Sequence, residues 1–337
     1  MELIDVKEFL DLRREGFPVL DTRSPAEFSA GHIPGAINLS LFTNEERAAV
    51  GTIYKDKGQK PAIKTGLSFV GPKMISFIER AEALGSGELL VHCWRGGMRS
   101  QSMAWLLELY GFHIRVLKGG YKAFRNAMLT YFENPPELKI LSGETGSMKT
   151  RLLQEMDALG AQVVDLEKLA HHQGSSFGNQ MSTGQPTTEQ FQNDIFEAFL
   201  SKSQNGPIWL EDESFSIGKV GLIEPLYKTM QLAPHYVVAL PKEQRIAVLV
   251  EAYGSIPREG LAAATRQISK KLGKDQTEKA VAYIQAGRLE QAVAIILRYY
   301  DKAYRIGIQK KASRIAGTFP FESHEIRKLA RRLANQR

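Results

Sequence analysis

The chain of 337 residues contains one cysteine, Cys93, within the stretch VHCWRGGMRS at residues 91–100. A thiol without a partner for an internal disulfide is available for nucleophilic or group-carrying chemistry. The two glycines allow backbone N–H groups to curl around the sulfur, and the arginines add positive charge that favours thiolate over thiol. We therefore predict that Cys93 is catalytic and that a loop cradles its sulfur. The loop consists of Trp94, Arg95, Gly96, Gly97, Met98 and Arg99.

A second stretch, SGETGSMKT at residues 142–150, resembles the phosphate-binding P-loop pattern G-x-x-x-x-G-K-[ST]. Glycines in such a loop let backbone N–H groups wrap a phosphate, a lysine reaches its oxygens, and a hydroxyl serves Mg²⁺. The candidate phosphate-binding residues are Gly143, Thr145, Gly146, Ser147, Lys149 and Thr150. Met148 stands where the pattern has its last glycine. Either it weakens phosphate binding, or it takes a helical φ at the start of the next helix and its side chain turns away; a retained fold with a disabled site is the third alternative.

Acidic residues end two apolar strands that follow this loop along the chain. Asp165 ends one strand, and Glu211, Asp212 and Glu213 end another, where a P-loop protein places its Mg²⁺-associated or water-orienting carboxylate. The adjacent His171 and His172 do not predict a metal site, because neighbouring side chains diverge on a helix or strand. We assign no direct metal ligand from the sequence.

Apolar segments alternate with helical patterns, which predicts an α/β layout. Before residue 130 we expect helices at about 6–15, in the 70s and 80s, and at 98–110, with strands at Val19–Asp21, Glu88–Cys93 and His113–Leu117. The prolines of YFENPPEL, at residues 131–138, interrupt the helical pattern, and another strand follows at Leu138–Leu141. The length suits two domains, which we place at residues 1–130 and 138–337.

Charge is distributed unevenly: the net charge of the chain is +7, but residues 251–337 carry 18 Lys and Arg against 8 Asp and Glu. This excess is typical either of a surface for a polyanion such as nucleic acid or of a solvated helix face. The candidate nucleic-acid contacts are Arg258, Arg266, Lys270, Lys271, Lys274, Lys310, Lys311 and Arg314. An average composition, the lone cysteine and the lack of a long apolar run predict a soluble, cytoplasmic protein without membrane contact.

Several motifs of the first domain resemble those of rhodanese-like sulfurtransferases. They are the loop from Cys93 to Arg99, DTRSPAEF at residues 21–28, GHIPGA at 31–36 and LKGGY at 117–121. In that family the cysteine carries a terminal sulfur, or a selenium, as a persulfide-type adduct. We expect Asp21 and His32 to hold the fold rather than to act in catalysis.

The whole chain resembles the bacterial tRNA 2-selenouridine synthase family, with an N-terminal rhodanese-like α/β domain and a P-loop NTPase-like α/β domain that has a helical, basic C-terminal part. Further shared motifs are VGTIYKDKGQKPA, DLEKLAHHQGSSFG, QPTTEQF, LEDES and YYDKAY. Gln173, where we expect arginine, and Met148 depart from the pattern.

The resemblance implies exchange of the 2-thio sulfur of wobble uridine for selenium from selenophosphate. An S-geranyl intermediate made from geranyl diphosphate is implied too, with Mg²⁺ as a candidate cofactor. The implied partners are tRNAs of the Lys, Glu and Gln type, with a selenophosphate-producing enzyme as a further candidate. Two alternatives remain: a sulfurtransferase fused to an ATP-dependent kinase or ATPase, and a non-catalytic sulfur-carrier or binding module.

Overall fold

The computed structural model describes residues 1–172, 184–203 and 205–336. The chain forms two compact units, Met1–Tyr131 and Phe132–Arg337. Both are built on parallel sheets, which confirms the predicted α/β class. No helix within the described ranges has the length and apolar character needed to span a bilayer.

The first unit, all of whose residues are described, contains a five-stranded parallel sheet in the order β1-β5-β4-β2-β3. Its strands are β1 (Glu2–Ile4), β2 (Val19–Asp21), β3 (Ile37–Asn38), β4 (Glu88–His92) and β5 (His113–Leu117). The helices of residues 1–133 are α1 (Val6–Arg14), α2 (Pro25–Ala30), α3 (Asn44–Lys57), α4 (Gln59–Val70), α5 (Met74–Glu82), α6 (Met98–Tyr110) and α7 (Gly120–Glu133). Four of the five residues of β4 are fully buried, as expected for a strand covered on both faces.

The described part of the second unit contains a five-stranded parallel sheet in the order β12-β11-β6-β8-β7, and an antiparallel pair β9-β10. The strands are β6 (Leu138–Gly143), β7 (Gln162–Val163), β8 (Ile208–Glu211), β9 (Ser216–Ile217), β10 (Val220–Gly221), β11 (His235–Ala239) and β12 (Ile315–Pro320). The helices that accompany this sheet are α8 (Lys149–Ala158), α9 (Leu166–Leu169), α10 (Thr188–Leu200), α11 (Glu224–Leu232) and α17 (Ile326–Ala334). Because β6 and β8 are adjacent and parallel, the loops after them meet at one edge of the sheet.

Consecutive helices between β11 and β12 form the predicted helical, basic part. They are α12 (Lys242–Tyr253), α13 (Arg258–Gln267), α14 (Ser269–Leu272), α15 (Lys274–Gln285) and α16 (Leu289–Lys310). Their apolar faces bury a separate core that includes Leu261, Val281 and Ile296. Lysines and arginines are therefore left on the outer faces of an amphipathic helical bundle.

A buried ion pair holds the carboxyl end of β2. Arg23 and Asp21 are both fully buried, and the Arg23 Nε lies 3.0 Å from each carboxylate oxygen of Asp21. The guanidinium also donates to the Gly31 carbonyl oxygen and stacks 3.9 Å over the Tyr121 ring. Burial lowers the pKa of His92, so this neighbouring ring is neutral at pH 7 and Arg23 supplies the positive charge.

We predict that Arg23→Leu destabilises the first unit by about 3–5 kcal/mol, because it leaves the Asp21 carboxylate buried without its partner. Arg14→Leu is the matched control, since Arg14 pairs with Asp11 on the surface and such pairs contribute about 0–1 kcal/mol. Urea unfolding combined with hydrogen exchange of the β2 and β4 peptides measures both values. Equal effects of the two substitutions would contradict a structural role for the buried pair.

Candidate functional site

Cys93 directly follows β4, and α6 begins five residues later. The residue is buried, with 3% of its surface exposed. The Oγ of Ser100 lies 3.3 Å from the Cys93 Sγ, and the Gly97 carbonyl oxygen lies 3.9 Å from it. The sulfur thus lies beside the first turn of α6, where the helix dipole favours negative charge.

Two glycines bring the turn after β5 against this loop. Gly96 and Gly120 have φ of 64° and 60°, in the left-handed region that favours glycine. A Cβ at Gly120 would lie 2.4 Å from the Cys93 carbonyl oxygen, and one at Gly96 would lie 2.6 Å from the Leu117 carbonyl oxygen. The Tyr121 N–H donates to the Cys93 carbonyl at 2.8 Å. The LKGGY motif therefore supports the backbone of the cysteine loop.

The two arginines of the loop have different surroundings. Arg95 is exposed, whereas the Arg99 Nη1 donates to the Glu27 Oε2 at 2.7 Å. Burial works to raise the pKa of Glu27, but the hydrogen bond and charge of Arg99 hold it below its usual value. Glu27 also forms a capping box with Ser24 at the start of α2. Glu27 and Ser100 were not predicted as neighbours of the loop, although the S-P-A-E run is typical of a helix cap.

The P-loop connects β6 to α8. Lys149 begins α8, and its Nζ donates to the Gly143 carbonyl oxygen at 3.0 Å and lies 3.4 Å from the Glu211 Oε1. Gly146 has φ 82°, and a Cβ there would lie 3.0 Å from the Arg245 carbonyl oxygen. The Oγ of Ser147 is buried and has no hydrogen-bond partner among the described residues, so it is available to an incoming oxygen ligand.

Met148 does not adopt the helical φ that was one alternative from the sequence. Its φ of 59° and ψ of 26° are left-handed, the region that glycine favours, and among the described residues only His171 is a second non-glycine with positive φ. The side chain of Met148 packs against the apolar core of the second unit. A left-handed conformation costs a residue with a Cβ about 1–2 kcal/mol. The packing of the Met148 side chain offsets this cost, so the loop keeps its turn without a glycine.

Three glutamates converge next to Lys149. Carboxylate oxygens of Glu167, Glu211 and Glu213 lie within 4.8 Å of one another, and the Thr150 Oγ1 lies 3.1 Å from the Glu211 Oε2. Burial and the Glu211 charge raise the pKa of Glu167 to about 8, and burial with the same neighbours raises the pKa of Glu213 well above its usual value. Burial works to lower the pKa of Lys149, but the glutamates raise it, so the ammonium keeps its charge.

The acidic residues predicted from the sequence divide between this cluster and other contacts. Asp165 caps α9, where its Oδ1 accepts from the Lys168 N–H at 2.9 Å, and Glu167, two residues later, takes the place expected for Asp165. Asp212 binds the Lys311 ammonium and accepts from the Ser142 hydroxyl. Neither Asp165 nor Asp212 belongs to the triad of glutamates.

The glutamate triad fits a divalent cation. Hard cations such as Mg²⁺ take oxygen ligands, and buried carboxylates with raised pKa values are stabilised when a cation replaces their protons. Glu167, Glu211 and Glu213 would hold the cation, with the Thr150 hydroxyl beside them. Such an ion would bring positive charge to the phosphate end of the loop.

Arg245 joins the helical part to the P-loop, which the sequence analysis missed. Its guanidinium donates to Asp301 at 2.8 and 3.1 Å, to the Thr145 carbonyl oxygen at 3.1 Å, and pairs with Glu144 at 3.0 Å. Burial works to lower the pKa of Arg245, but Asp301 and Glu144 raise it. Asp301 lies within the YYDKAY motif of α16, so this motif is part of the site's support.

Most of the candidate nucleic-acid contacts are exposed on the helical part. These are Arg258, Arg266, Lys270, Lys271, Lys274 and Lys310. The other two are only partly exposed and have partners within the chain: the Lys311 Nζ is bound to Asp212, and the Arg314 Nη1 donates to the Gln231 carbonyl oxygen at 2.7 Å. Gln173 and the rest of residues 173–183 lie outside the described residues.

A buried thiol at the end of a strand, and a P-loop beside an acidic cluster, define the class of protein: a rhodanese-like domain followed by a P-loop-like domain. Residues 5–127 match the family model of the rhodanese-like domain, and residues 136–337 match that of the tRNA 2-selenouridine synthase AAA domain. The tRNA 2-selenouridine synthase of Shewanella loihica is 35% identical, covering 93% of each chain. That of Hahella chejuensis is 40% identical over 72% of this chain and 65% of its own length. The chain belongs to the tRNA 2-selenouridine synthase family.

We predict that the free energy of unfolding of the second unit falls as the pH rises from about 4.5 to 8. The folded-state pKa of Glu167 lies above its unfolded value, so the stabilisation is present at low pH and is lost as the pH rises through 8. Mg²⁺ added at pH 8 should restore stability, because it binds the folded state.

In the double variant Glu167→Gln, Glu213→Gln, the loss of unfolding free energy between pH 4.5 and 8 should be smaller by at least about 1 kcal/mol, and added Mg²⁺ should no longer restore stability. The control variant Glu243→Gln, Glu251→Gln changes two exposed acids of the same unit. Urea unfolding at several pH values measures the slopes. Identical slopes for the two double variants would show that the triad does not retain protons.

Proposed function

We propose that the protein replaces the 2-thio sulfur of wobble uridine in tRNA with selenium from selenophosphate, through an S-geranyl intermediate made from geranyl diphosphate. The observation that carries this proposal is that both units match one family, in the same order, over 93% of the chain. We propose tRNAs of the Lys, Glu and Gln type as substrates and the cytoplasm as the location. An enzyme that produces selenophosphate is the proposed supplier of selenium.

The first proposed step is alkylation at the P-loop. The thiocarbonyl sulfur attacks C1 of the geranyl group, the C1–O bond breaks, its electron pair leaves with diphosphate, and uridine loses its N3 proton. Gly143, Thr145, Gly146, Ser147, Lys149 and Thr150 are the proposed phosphate contacts. Lys149 and backbone N–H groups suit the charge that develops on diphosphate. A Mg²⁺ ion, when bound, would neutralise further charge on the leaving group.

The second proposed step is exchange at the Cys93 loop. Alkylation converts a poor leaving group into a better one, because the sulfur now departs as a thiolate. Selenophosphate attacks C2 through selenium, the C2–S bond breaks, and geranyl thiolate takes the selenophosphate proton to leave as geranylthiol. Water then cleaves the Se–P bond, which gives phosphate and places a proton on N3. We propose that Cys93 and its loop handle the incoming selenium or the departing sulfur.

A reciprocal pair of variants tests the division into two steps. Cys93→Ser should accumulate geranylated RNA and reduce selenouridine at least a hundredfold. Lys149→Ala should reduce geranylation of 2-thiouridine RNA by a similar factor, because it removes the charge that stabilises diphosphate, but should still convert RNA that is already geranylated. Mass spectrometry of digested nucleosides measures both products.

Ser76→Ala is the control for Cys93, since Ser76 is exposed on α5 of the same unit and lies outside the cysteine loop. Selenouridine formed at the normal rate by Cys93→Ser would remove the thiol from the mechanism. Hydrolysis of ATP without tRNA, abolished by Lys149→Ala, would favour the fused kinase or ATPase instead. Tight RNA binding with no conversion by any variant or by wild type would favour a binding module.

The exposed basic residues of the helical part are the proposed tRNA contacts. We predict that Lys270→Glu, Lys271→Glu weakens tRNA binding and reduces the slope of log Kd against log salt by about 2, since each lost phosphate contact removes about one unit. The control Lys219→Glu, Lys228→Glu reverses two exposed charges of the same unit outside the helical part. Filter binding from 50 to 300 mM salt measures the slopes, and equal losses for both variants would contradict a local tRNA surface.

A further inference from the structure

An apolar groove lies beside the cysteine loop in the first unit. Helices α3 and α4 form a hairpin that turns at Gly58, and the groove runs between this hairpin and α6. It consists of two adjoining cavities of about 310 and 330 Å³, which share Leu41, Leu67, Val70 and Met98. Volumes of this size are at the lower end of the range for small-molecule sites. The VGTIYKDKGQKPA motif, which the proposed mechanism does not use, forms part of one wall.

Large apolar side chains of the groove are open to solvent. Leu67 is 65% exposed, Trp105 59%, Tyr54 59% and Met98 48%. Single exposed apolar residues are ordinary on a protein surface, but these four line one continuous depression. A contiguous apolar patch of this kind marks a binding site.

The groove is continuous with the cysteine loop. Met98 and Arg99 both line it and are the fifth and sixth residues after Cys93. Ser102 lines both cavities and lies two residues after Ser100, whose Oγ contacts the Cys93 Sγ. The polar groups of the groove include Arg99 and Arg47, which both pair with Glu27. The site therefore suits a ligand with an apolar chain and a polar head, with the junction at the Arg99 end of the cysteine loop.

We propose that this groove binds the geranyl chain of the S-geranylated 2-thiouridine during exchange, with the thioether directed toward Cys93. This inference rests on the proposed function, because it assigns the substrate chain of the exchange step. When the C2–Se bond forms and the C2–S bond breaks, the departing geranyl thiolate keeps its chain in the groove. Burial of the chain gives the enzyme a means to distinguish an activated nucleoside from unmodified 2-thiouridine.

Chain length tests the proposal, because each buried CH₂ group changes affinity by about fourfold. Full-length protein is given selenophosphate and anticodon stem-loop RNAs whose 2-thiouridine carries a geranyl or a dimethylallyl group. The ratio of the two kcat/KM values for selenouridine formation is measured. We expect wild type to prefer the geranyl RNA by on the order of tenfold or more.

Two variants change the groove at positions that the fold tolerates. Gly51→Leu fills it from α3, where an added Cβ meets only the mobile end of Arg47, at 3.3 Å. Leu67→Asp places a charge on the α4 wall. Both should lower the geranyl preference at least tenfold. Ile75→Asp is the matched control, because Ile75 is 72% exposed on α5 and does not line the groove, and it should keep the preference.

The outcomes separate the inference from the function on which it rests. If wild type converts neither RNA, the proposed function fails and the inference fails with it. If wild type converts both at equal rates, or if the groove variants keep the geranyl preference, the groove does not bind the chain although the exchange stands. A dimer that Leu67→Asp disrupts without a change in chain preference would identify the groove as an interface between copies and overturn the inference.

Discussion

Three glutamates crowded beside a single lysine are the constraint on which the P-loop region of the second unit depends. Glu167, Glu211 and Glu213 face one ammonium, that of Lys149, and two of the carboxyls respond by raised pKa values. A diphosphate would add further negative charge, so its approach is favourable only when protons or a cation offset the carboxylates. The proposed phosphate site and the acidic site therefore form one electrostatic unit, because the protonation of the glutamates and the charge of a bound phosphate affect each other.

The helical part is connected to this electrostatic unit through α16 and the residues that follow it. Asp301 binds Arg245 beside the P-loop, and Lys311, just after the helix, binds Asp212. The bundle that carries the exposed lysines and arginines is therefore connected at two points to the P-loop region. Removal of one partner of a buried pair leaves an uncompensated charge, so such contacts are costly to break. In the second unit, the proposed RNA surface and the proposed phosphate site are thus carried by connected elements.

The central feature of the first unit is a buried thiol held at the end of a strand. Backbone contacts at Gly96 and Gly120 shape the loop, and the buried pair of Arg23 with Asp21 supports the neighbouring strand end. The apolar groove begins where this loop ends. The cysteine loop and the apolar groove thus meet at the first turn of α6, an arrangement that suits the exchange step we propose.

The sequence by itself determined the fold class, the family, the strand that delivers Cys93 and the helix α6 that follows it, because apolar periodicity and glycine motifs are local signals. It also indicated a phosphate-binding loop despite Met148. Only the tertiary structure decided that Met148 is left-handed, that Glu167 rather than Asp165 joins the triad, and that Lys311 faces Asp212 instead of solvent. Arg245 and Asp301 are 56 residues apart, and Lys311 and Asp212 are 99 apart. Contacts at such separations depend on how the helices pack on the sheet. A polar side chain that this packing buries is removed from water and needs a hydrogen-bond or charge partner, and no local pattern of residues shows which side chain that will be.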